Sequence, residues 1–143
     1  MPRIYVAGPM TGYKDGNYPE FKRVSDVLSK QGWTVLNPAE NFGGRSDLPY
    51  DWYIREDLKL MAFAEAIVFL DGWDLSKGCL LELHAAWVLG MSIYKWNNYD
   101  ELDTFVFFDP EHRLIRALID RVFYKPVDEV LANMKEDEDE NSD

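Results

Sequence analysis

Glu82 is an acidic residue at a position that the sequence pattern assigns to packed surface. An apolar run, residues 66–70, comes before it, and Gly78 stands four residues earlier in the chain. If the run is a buried strand and Gly78 opens the next helix, the carboxylate lies one turn into that helix, at the carboxyl edge of a parallel sheet. Glu82 then shares a helical face with Ala85 and Ala86. Open α/β folds bind ligands at this edge, so an acid there is a candidate for chemistry.

Asp57 is a second acid on an apolar helical face, which it shares with Ile54, Leu58 and Met61. Burial raises the pKa of a carboxyl group and neighbouring donors lower it, so two acids in one pocket can divide the roles of acid and nucleophile. A purely structural alternative stays open at this point. Asp57 could bond to a loop amide, and Glu82 could stabilise the start of its helix through the helix dipole.

The elements that would position these acids alternate between strand and helix. Gly32 is predicted to end the first helix, and Asp51 to cap the second. The predicted order is strand 4–7, a helix with Pro19 in its first turn, strand 33–36, a helix from residue 51, strand 66–70, helix 79–89, strand 92–94 and a fifth strand at 104–108. This order predicts an α/β, Rossmann-like or flavodoxin-like three-layer domain, with a parallel sheet covered by helices on both faces.

Three segments should meet at the carboxyl edge of such a sheet: the turn at residues 8–12, the loop at residues 71–78 and the start of the third helix. Gly8 and Gly12 are only a weak signal for a phosphate loop, because no Lys-Ser or Lys-Thr pair follows them. Trp73 is placed either to stack on a base or to pack under the loop at residues 41–49.

Composition limits the class of protein. The chain of 143 residues fits one domain, residues 1–134, followed by a disordered acidic tail at residues 135–143. The net charge of −11 divides into −5 for the tail and −6 for the rest, which argues against binding of long nucleic acid.

The location and the cofactor requirement follow from what the sequence lacks. No apolar run approaches the roughly 18 residues of a membrane span, and the start leads directly into a strand, so we expect no membrane association and no signal peptide. The single cysteine, Cys79, rules out an internal disulfide and favours the cytoplasm. No metal-ligand spacing occurs, and we expect neither a metal nor another cofactor.

Three motifs together resemble the nucleoside 2-deoxyribosyltransferase superfamily, and in particular its small phage and bacterial branch. They also resemble the 2′-deoxynucleoside 5′-monophosphate N-glycosidases. The resemblance covers about residues 3–95, and it depends on the order and spacing of the motifs Tyr5-Val6-Ala7-Gly8-Pro9-Met10-Thr11-Gly12, Arg55-Glu56-Asp57-Leu58 and Ser76-Lys77-Gly78 with Glu82-Leu83.

The resemblance implies an enzyme that breaks or exchanges the N-glycosidic bond of a deoxynucleoside or deoxynucleotide. It implies that Glu82 is the nucleophile that attacks C1′ and that Asp57 positions the sugar and the departing base. A carboxylate nucleophile gives a covalent sugar ester and retention at C1′. The substrate-binding residues predicted with it are Tyr5, Gly8, Met10, Thr11, Gly12, Asp71, Trp73, Ser76 and Gly78.

Two departures from the family pattern affect the expected substrate. Ser76 stands where the monophosphate glycosidases carry a phosphate-binding serine, which favours a nucleotide substrate and hydrolysis. The first turn lacks the serine and arginine of those enzymes, and only Thr11, Lys77 and backbone amides could replace them. His84 replaces a glycine that often follows Glu-Leu in the transferases, and a surface position suits it better than a catalytic one.

Two other classes of function remain open. One is a non-catalytic pocket of the same fold that binds or sequesters a nucleotide, with Glu82 accepting a ribose hydroxyl. The other is a scaffold that uses the Phe-rich C-terminal part as a partner surface. In either enzyme or scaffold we expect a homo-oligomer, most simply a two-fold dimer, with apolar surface from the third helix or the Phe-rich region between its protomers.

Overall fold

A five-stranded sheet forms the centre of the computed structural model, which describes residues 1–45 and 47–105. Its strands are β1 (Arg3–Ala7), β2 (Thr34–Leu36), β3 (Ala66–Phe69), β4 (Ser92–Trp96) and β5 (Leu102–Thr104). The order across the sheet is β2-β1-β3-β4-β5. The first four strands are parallel, and β5 runs antiparallel to β4. The α/β fold with a mostly parallel sheet is therefore confirmed. The strand order reverses between β1 and β3, because β2 lies on one side of β1 and β3 on the other.

Helix α1 (Tyr18–Lys30) covers one face of the sheet. Pro19 lies in its first turn, where the missing amide hydrogen has no cost. The apolar stripe of α1 is buried at Phe21, Val24 and Leu28, and it packs against alternate residues of β1 and β3 in one core cluster. This packing leaves the opposite face of β1 to the other helices.

Helices α2 (Tyr50–Met61) and α3 (Lys77–Val88) supply the buried acids and meet the opposite face of β1 at Tyr5. The prediction that Asp51 caps α2 is wrong. The helix begins one residue earlier, after Pro49, and no side chain caps it, so Asp51 lies inside the first turn. Ala62 is exposed where α2 ends.

The last described strand differs from the prediction. A fifth strand was expected at residues 104–108, whereas β5 ends at Thr104 and pairs with β4 as a hairpin. The turn explains the shift, because the Asn97 side-chain oxygen accepts hydrogen bonds from the amides of Tyr99 and Glu101 at 2.8 and 3.0 Å. Residues 106–108 of the expected strand, the residues that follow them and the expected acidic tail lie outside the described residues.

Candidate active site

Glu82 lies in α3 with only 4% of its surface exposed. One carboxyl oxygen, Oε2, is buried and has no hydrogen-bond partner among the described residues. Burial raises the pKa of Glu82 to about 8, the Tyr5 hydroxyl lowers it in part, and the charge of Asp57 raises it further. A carboxyl that is buried with an unpaired oxygen stabilises the fold poorly, which is typical of a residue kept for function.

Tyr5 supports Glu82 from β1 and is completely buried. Its hydroxyl is near enough to lower the Glu82 pKa, although neither the hydroxyl nor Glu82 Oε2 completes a hydrogen bond of good geometry. Burial and the nearby acids raise the tyrosine pKa well above its usual range, so the hydroxyl stays a neutral donor. Tyr5 was predicted to bind substrate; it is buried beside Glu82, and a direct contact with substrate stays a prediction.

Asp57 lies in α2, and its Oδ1 accepts a hydrogen bond from the side-chain amide of Asn41 at 2.9 Å. Asp57 therefore does bond to an amide, as the structural alternative predicted, and the amide is that of Asn41, which was not identified from the sequence. Burial raises the Asp57 pKa to about 7, the Asn41 amide lowers it in part, and the charge of Glu56 raises it. Asn41 follows β2 at the same edge of the sheet, and that position was the signal that could have identified it.

The raised pKa of Glu82 predicts that stability falls as the pH rises. The unfolded chain loses the Glu82 proton near the ordinary glutamate pKa of 4.5, whereas the folded protein keeps it up to a pKa of about 8. The folded state therefore binds more protons in this window, and stability declines between these two values and levels off above them. Thermal melts from pH 5 to pH 9 should show a decline in the wild type that is shallower in Glu82→Gln, by an amount on the order of 3 kcal/mol. If stability declines equally with pH in the wild type and in Glu82→Gln, the pKa of Glu82 is not raised by folding.

The missing side chain of Gly78 leaves a space of about one methyl group beside Glu82, which we call the Gly78 gap. A Cβ atom added to Gly78 would lie 3.9 Å from Glu82 Oε1, 3.5 Å from the Tyr50 hydroxyl oxygen and 3.4 Å from Ile54 Cδ1. These three atoms bound the gap. Tyr50 and Ile54 precede Asp57 by seven and three residues, so all three project toward the site from one side of α2. Sequence reasoning included Gly78 but missed Tyr50, and this helical spacing from Asp57 was the available signal.

The predicted first turn and the loop after β3 come together. The Tyr13 hydroxyl occupies the place of a side chain on Gly72, 2.5 Å from where its Cβ would be, and Pro9 Cγ lies 3.1 Å from the same point. Gly8 has a packing role, because a Cβ there would lie 3.0 to 3.1 Å from Leu70 and Phe21. Of the other predicted residues in this turn, Met10 is half-buried against the core, whereas Thr11 and Gly12 are exposed.

Ser76 caps α3, with its Oγ accepting a hydrogen bond from the amide of Cys79 at 3.2 Å. Cys79 is buried, and burial raises the pKa of its thiol, so the thiolate that a helix start could favour does not form. Asp71 and His84 are exposed.

Trp73 packs against two phenylalanines at the end of the sheet. Its ring centre lies 5.6 Å from that of Phe69 and 5.3 Å from that of Phe105. The expected alternative to base stacking, packing under the loop at residues 41–49, is not the contact observed. The half-buried ring keeps some surface, so its role in base stacking stays a prediction.

Within the described residues, no helix has the length and apolar character to cross a membrane. In the same part of the chain, no group of three or more His, Cys, Asp or Glu residues is arranged to hold a metal ion.

The structure is an α/β protein with a mostly parallel sheet, and it carries two buried acids on α2 and α3. The chain belongs to the family described as a domain of unknown function, DUF4406, whose model matches residues 2–95. Among solved structures, the 2-deoxyribosyltransferase of the psychrotolerant bacterium Bacillus psychrosaccharolyticus is similar over 65% of this chain and 70% of its own, at 24% identity and a TM-score of 0.52. The predicted resemblance is thus confirmed at the level of the fold. No curated protein matches the sequence.

Proposed function

We propose that this protein cleaves or exchanges the N-glycosidic bond of a deoxynucleoside or deoxynucleotide, through a glycosyl ester of Glu82. The observation that carries the proposal is the buried Glu82 carboxyl, which borders the Gly78 gap with one oxygen and has Asp57 as a second acid nearby. The likeness in fold to a 2-deoxyribosyltransferase supports the same reaction class.

The first step is attack by Glu82 on the sugar. Glu82 Oε1 forms a bond to C1′ while the bond from C1′ to the base nitrogen breaks, and its electron pair leaves with the base. Glu82 must be ionised to attack, whereas burial keeps it mainly protonated in the free protein at neutral pH. The reactive form, with Glu82 ionised and the proton on Asp57, is about tenfold rarer than the reverse form, because the two pKa values are about 8 and about 7. The Tyr5 hydroxyl increases the share of the reactive form because it lowers the Glu82 pKa. Asp57, with a pKa raised to about 7, can hold the proton that the departing base takes up.

The second step releases the sugar from Glu82. Water, or the nitrogen of a second base, attacks C1′ from the face that the first base has left, and the ester bond to Oε1 breaks. Asp57 is then ionised and accepts the proton of the attacking group, which restores the starting state. Two displacements at C1′ give net retention, and the choice of acceptor decides between a hydrolase and a transferase.

Intact-mass measurement of the acid-quenched protein tests this mechanism directly. Wild-type protein incubated with 2′-deoxynucleosides or their 5′-monophosphates should gain the mass of one deoxyribosyl group or its phosphate, and peptide mapping should place it on Glu82. Base release with the adduct on a different residue would contradict the role of Glu82. Ligand that binds and is recovered unchanged would favour the non-catalytic alternative, a nucleotide-binding protein of the same fold.

Ser76 is the residue proposed to favour 5′-monophosphates, because its hydroxyl lies at the start of α3, where backbone amides favour anions. Replacement by alanine would also remove the helix cap and cost about 1 kcal/mol of stability. Ser76→Asp keeps a capping oxygen and adds a negative charge. We expect it to lower kcat/KM on monophosphates at least about tenfold and to leave nucleosides nearly unchanged.

Ser76→Asn is the matched control for Ser76→Asp, since it caps the helix without a charge. Initial rates on a nucleoside and its 5′-monophosphate give the comparison for both variants. Equal losses on the two substrates in Ser76→Asp would reject phosphate recognition at this residue.

The state of assembly is part of the proposal. We propose a homodimer, supported by exposed apolar side chains near the end of α3, where Val88 and Leu89 keep 64% and 58% of their surfaces exposed. Light scattering at micromolar concentration should give a mass near twice that of the 16.7 kDa chain. A mass near that of one chain would reject the dimer. The small-molecule substrate, the absence of a cofactor and the cytoplasmic location belong to the same proposal.

A further inference from the structure

Tyr50, the first residue of α2, directs its hydroxyl toward the proposed site while 57% of the residue remains exposed. The hydroxyl oxygen lies 3.5 Å from the Cβ position of Gly78, and Glu82 Oε1 lies 3.9 Å from the same point. Across residues 1–45 and 47–105, no hydrogen bond holds the Tyr50 hydroxyl to the protein. A free donor therefore stands at the edge of the Gly78 gap.

The position of the nucleophile decides which part of a substrate this donor meets. In a reactive complex Glu82 Oε1 must lie about 3 to 3.5 Å from C1′, so the sugar occupies the space around this oxygen. The Tyr50 hydroxyl and Oε1 flank the same gap, which Ile54 Cδ1 also borders. A deoxyribose has an apolar methylene at C2′ next to carbon atoms that carry oxygen. The methyl group of Ile54 can contact the methylene, and the Tyr50 hydroxyl can donate to one of the oxygens.

We propose that Tyr50 is a substrate-binding residue whose hydroxyl donates a hydrogen bond to a sugar oxygen of the deoxynucleoside at Glu82. The assignment rests on the proposed function. Burial, together with the charges of Glu82 and Asp57, raises the tyrosine pKa, so the hydroxyl keeps its proton throughout the neutral range. The exposed ring leaves room for a ligand to approach this donor.

Binding to proteins that cannot turn over tests this assignment. The parent is Glu82→Gln, and Tyr50→Phe is added to it, with calorimetric dissociation constants for the four common 2′-deoxynucleosides and their free bases. We expect deoxynucleoside binding to weaken about five- to tenfold, the size of one neutral hydrogen bond, and free-base binding to remain unchanged. Tyr99→Phe in the same parent is the matched control, because Tyr99 is 83% exposed on the β4–β5 hairpin.

The same experiments distinguish failure of the role proposed for Tyr50 from failure of the proposed function. Unchanged deoxynucleoside binding in Tyr50→Phe, or equal weakening for nucleosides and free bases, would overturn the role of Tyr50 and leave the reaction intact. If the wild-type protein neither binds nor cleaves any deoxynucleoside or its monophosphate, the proposed function fails, and the role of Tyr50 fails with it.

Discussion

Glu82→Gln should reduce base release from the best substrate by at least about 10³-fold, because the amide cannot form the glycosyl ester. The shape of the side chain is preserved, and the buried site accepts a neutral group more readily than a charged one. The variant should therefore remain folded and still bind ligand. Initial-rate assays and thermal melts on the same preparation separate loss of chemistry from loss of structure.

Glu40→Gln is the matched control for Glu82→Gln, since Glu40 is an exposed acid in the segment after β2. It should keep wild-type activity. Wild-type turnover by Glu82→Gln would show that another group attacks C1′, or that the reaction proceeds without a covalent intermediate.

Gly78→Ala should have the second-largest effect, and it should act on activity without harming the fold. The added methyl group would make only ordinary contacts of 3.4 to 3.9 Å, so the folded protein accommodates it, and alanine is a better helix former than glycine by up to about 1 kcal/mol. The same methyl fills the Gly78 gap beside Glu82 Oε1, where the proposed reaction places the sugar. We expect kcat/KM to fall at least about 100-fold, because small displacements of reacting atoms are costly.

His84→Ala controls for helix propensity, because it makes an exposed position of α3 into alanine without entering the site. It should keep its activity. If Gly78→Ala melts at or above the wild-type temperature and is as active as the wild type, the substrate does not occupy the Gly78 gap.

The sequence was sufficient to predict most of the architecture and the two acids. Strand and helix periods differ, so the alternating elements could be recognised, and the winding of a parallel sheet brings the ends of β1 and β3 together. Glu82 and Asp57 were found because each interrupts an apolar helical face. Both are buried in the structure.

The partners of the acids could not be predicted from the same patterns. The bond from Asn41 to Asp57 depends on an irregular segment in which Phe42 adopts a positive φ of 56°, a conformation that helix and strand periodicity do not encode. Tyr50 resembles a surface aromatic residue, because its ring is largely exposed and only its hydroxyl turns inward. The role proposed for Tyr50 depends on a single oxygen atom, and a hydrophobicity value for the whole residue does not distinguish that atom from the exposed ring.

The cap of α2 and the last strand were missed for a related reason. Both depend on local chain chemistry, the start of α2 after Pro49 and the turn bonds of Asn97, which decide boundaries within one or two residues. Ser76 shows the same limit, since a residue considered for phosphate binding also proves to be the cap of α3.

Product analysis over a panel of substrates tests the central claim most directly. The purified protein is incubated with each common 2′-deoxynucleoside and its 5′-monophosphate, with and without a second free base, and the products are separated by chromatography. The proposed reaction predicts release of the free base from at least one of them, or formation of a new nucleoside when the second base is present, and neither with Glu82→Gln. Recovery of every substrate unchanged at micromolar wild-type protein would contradict it.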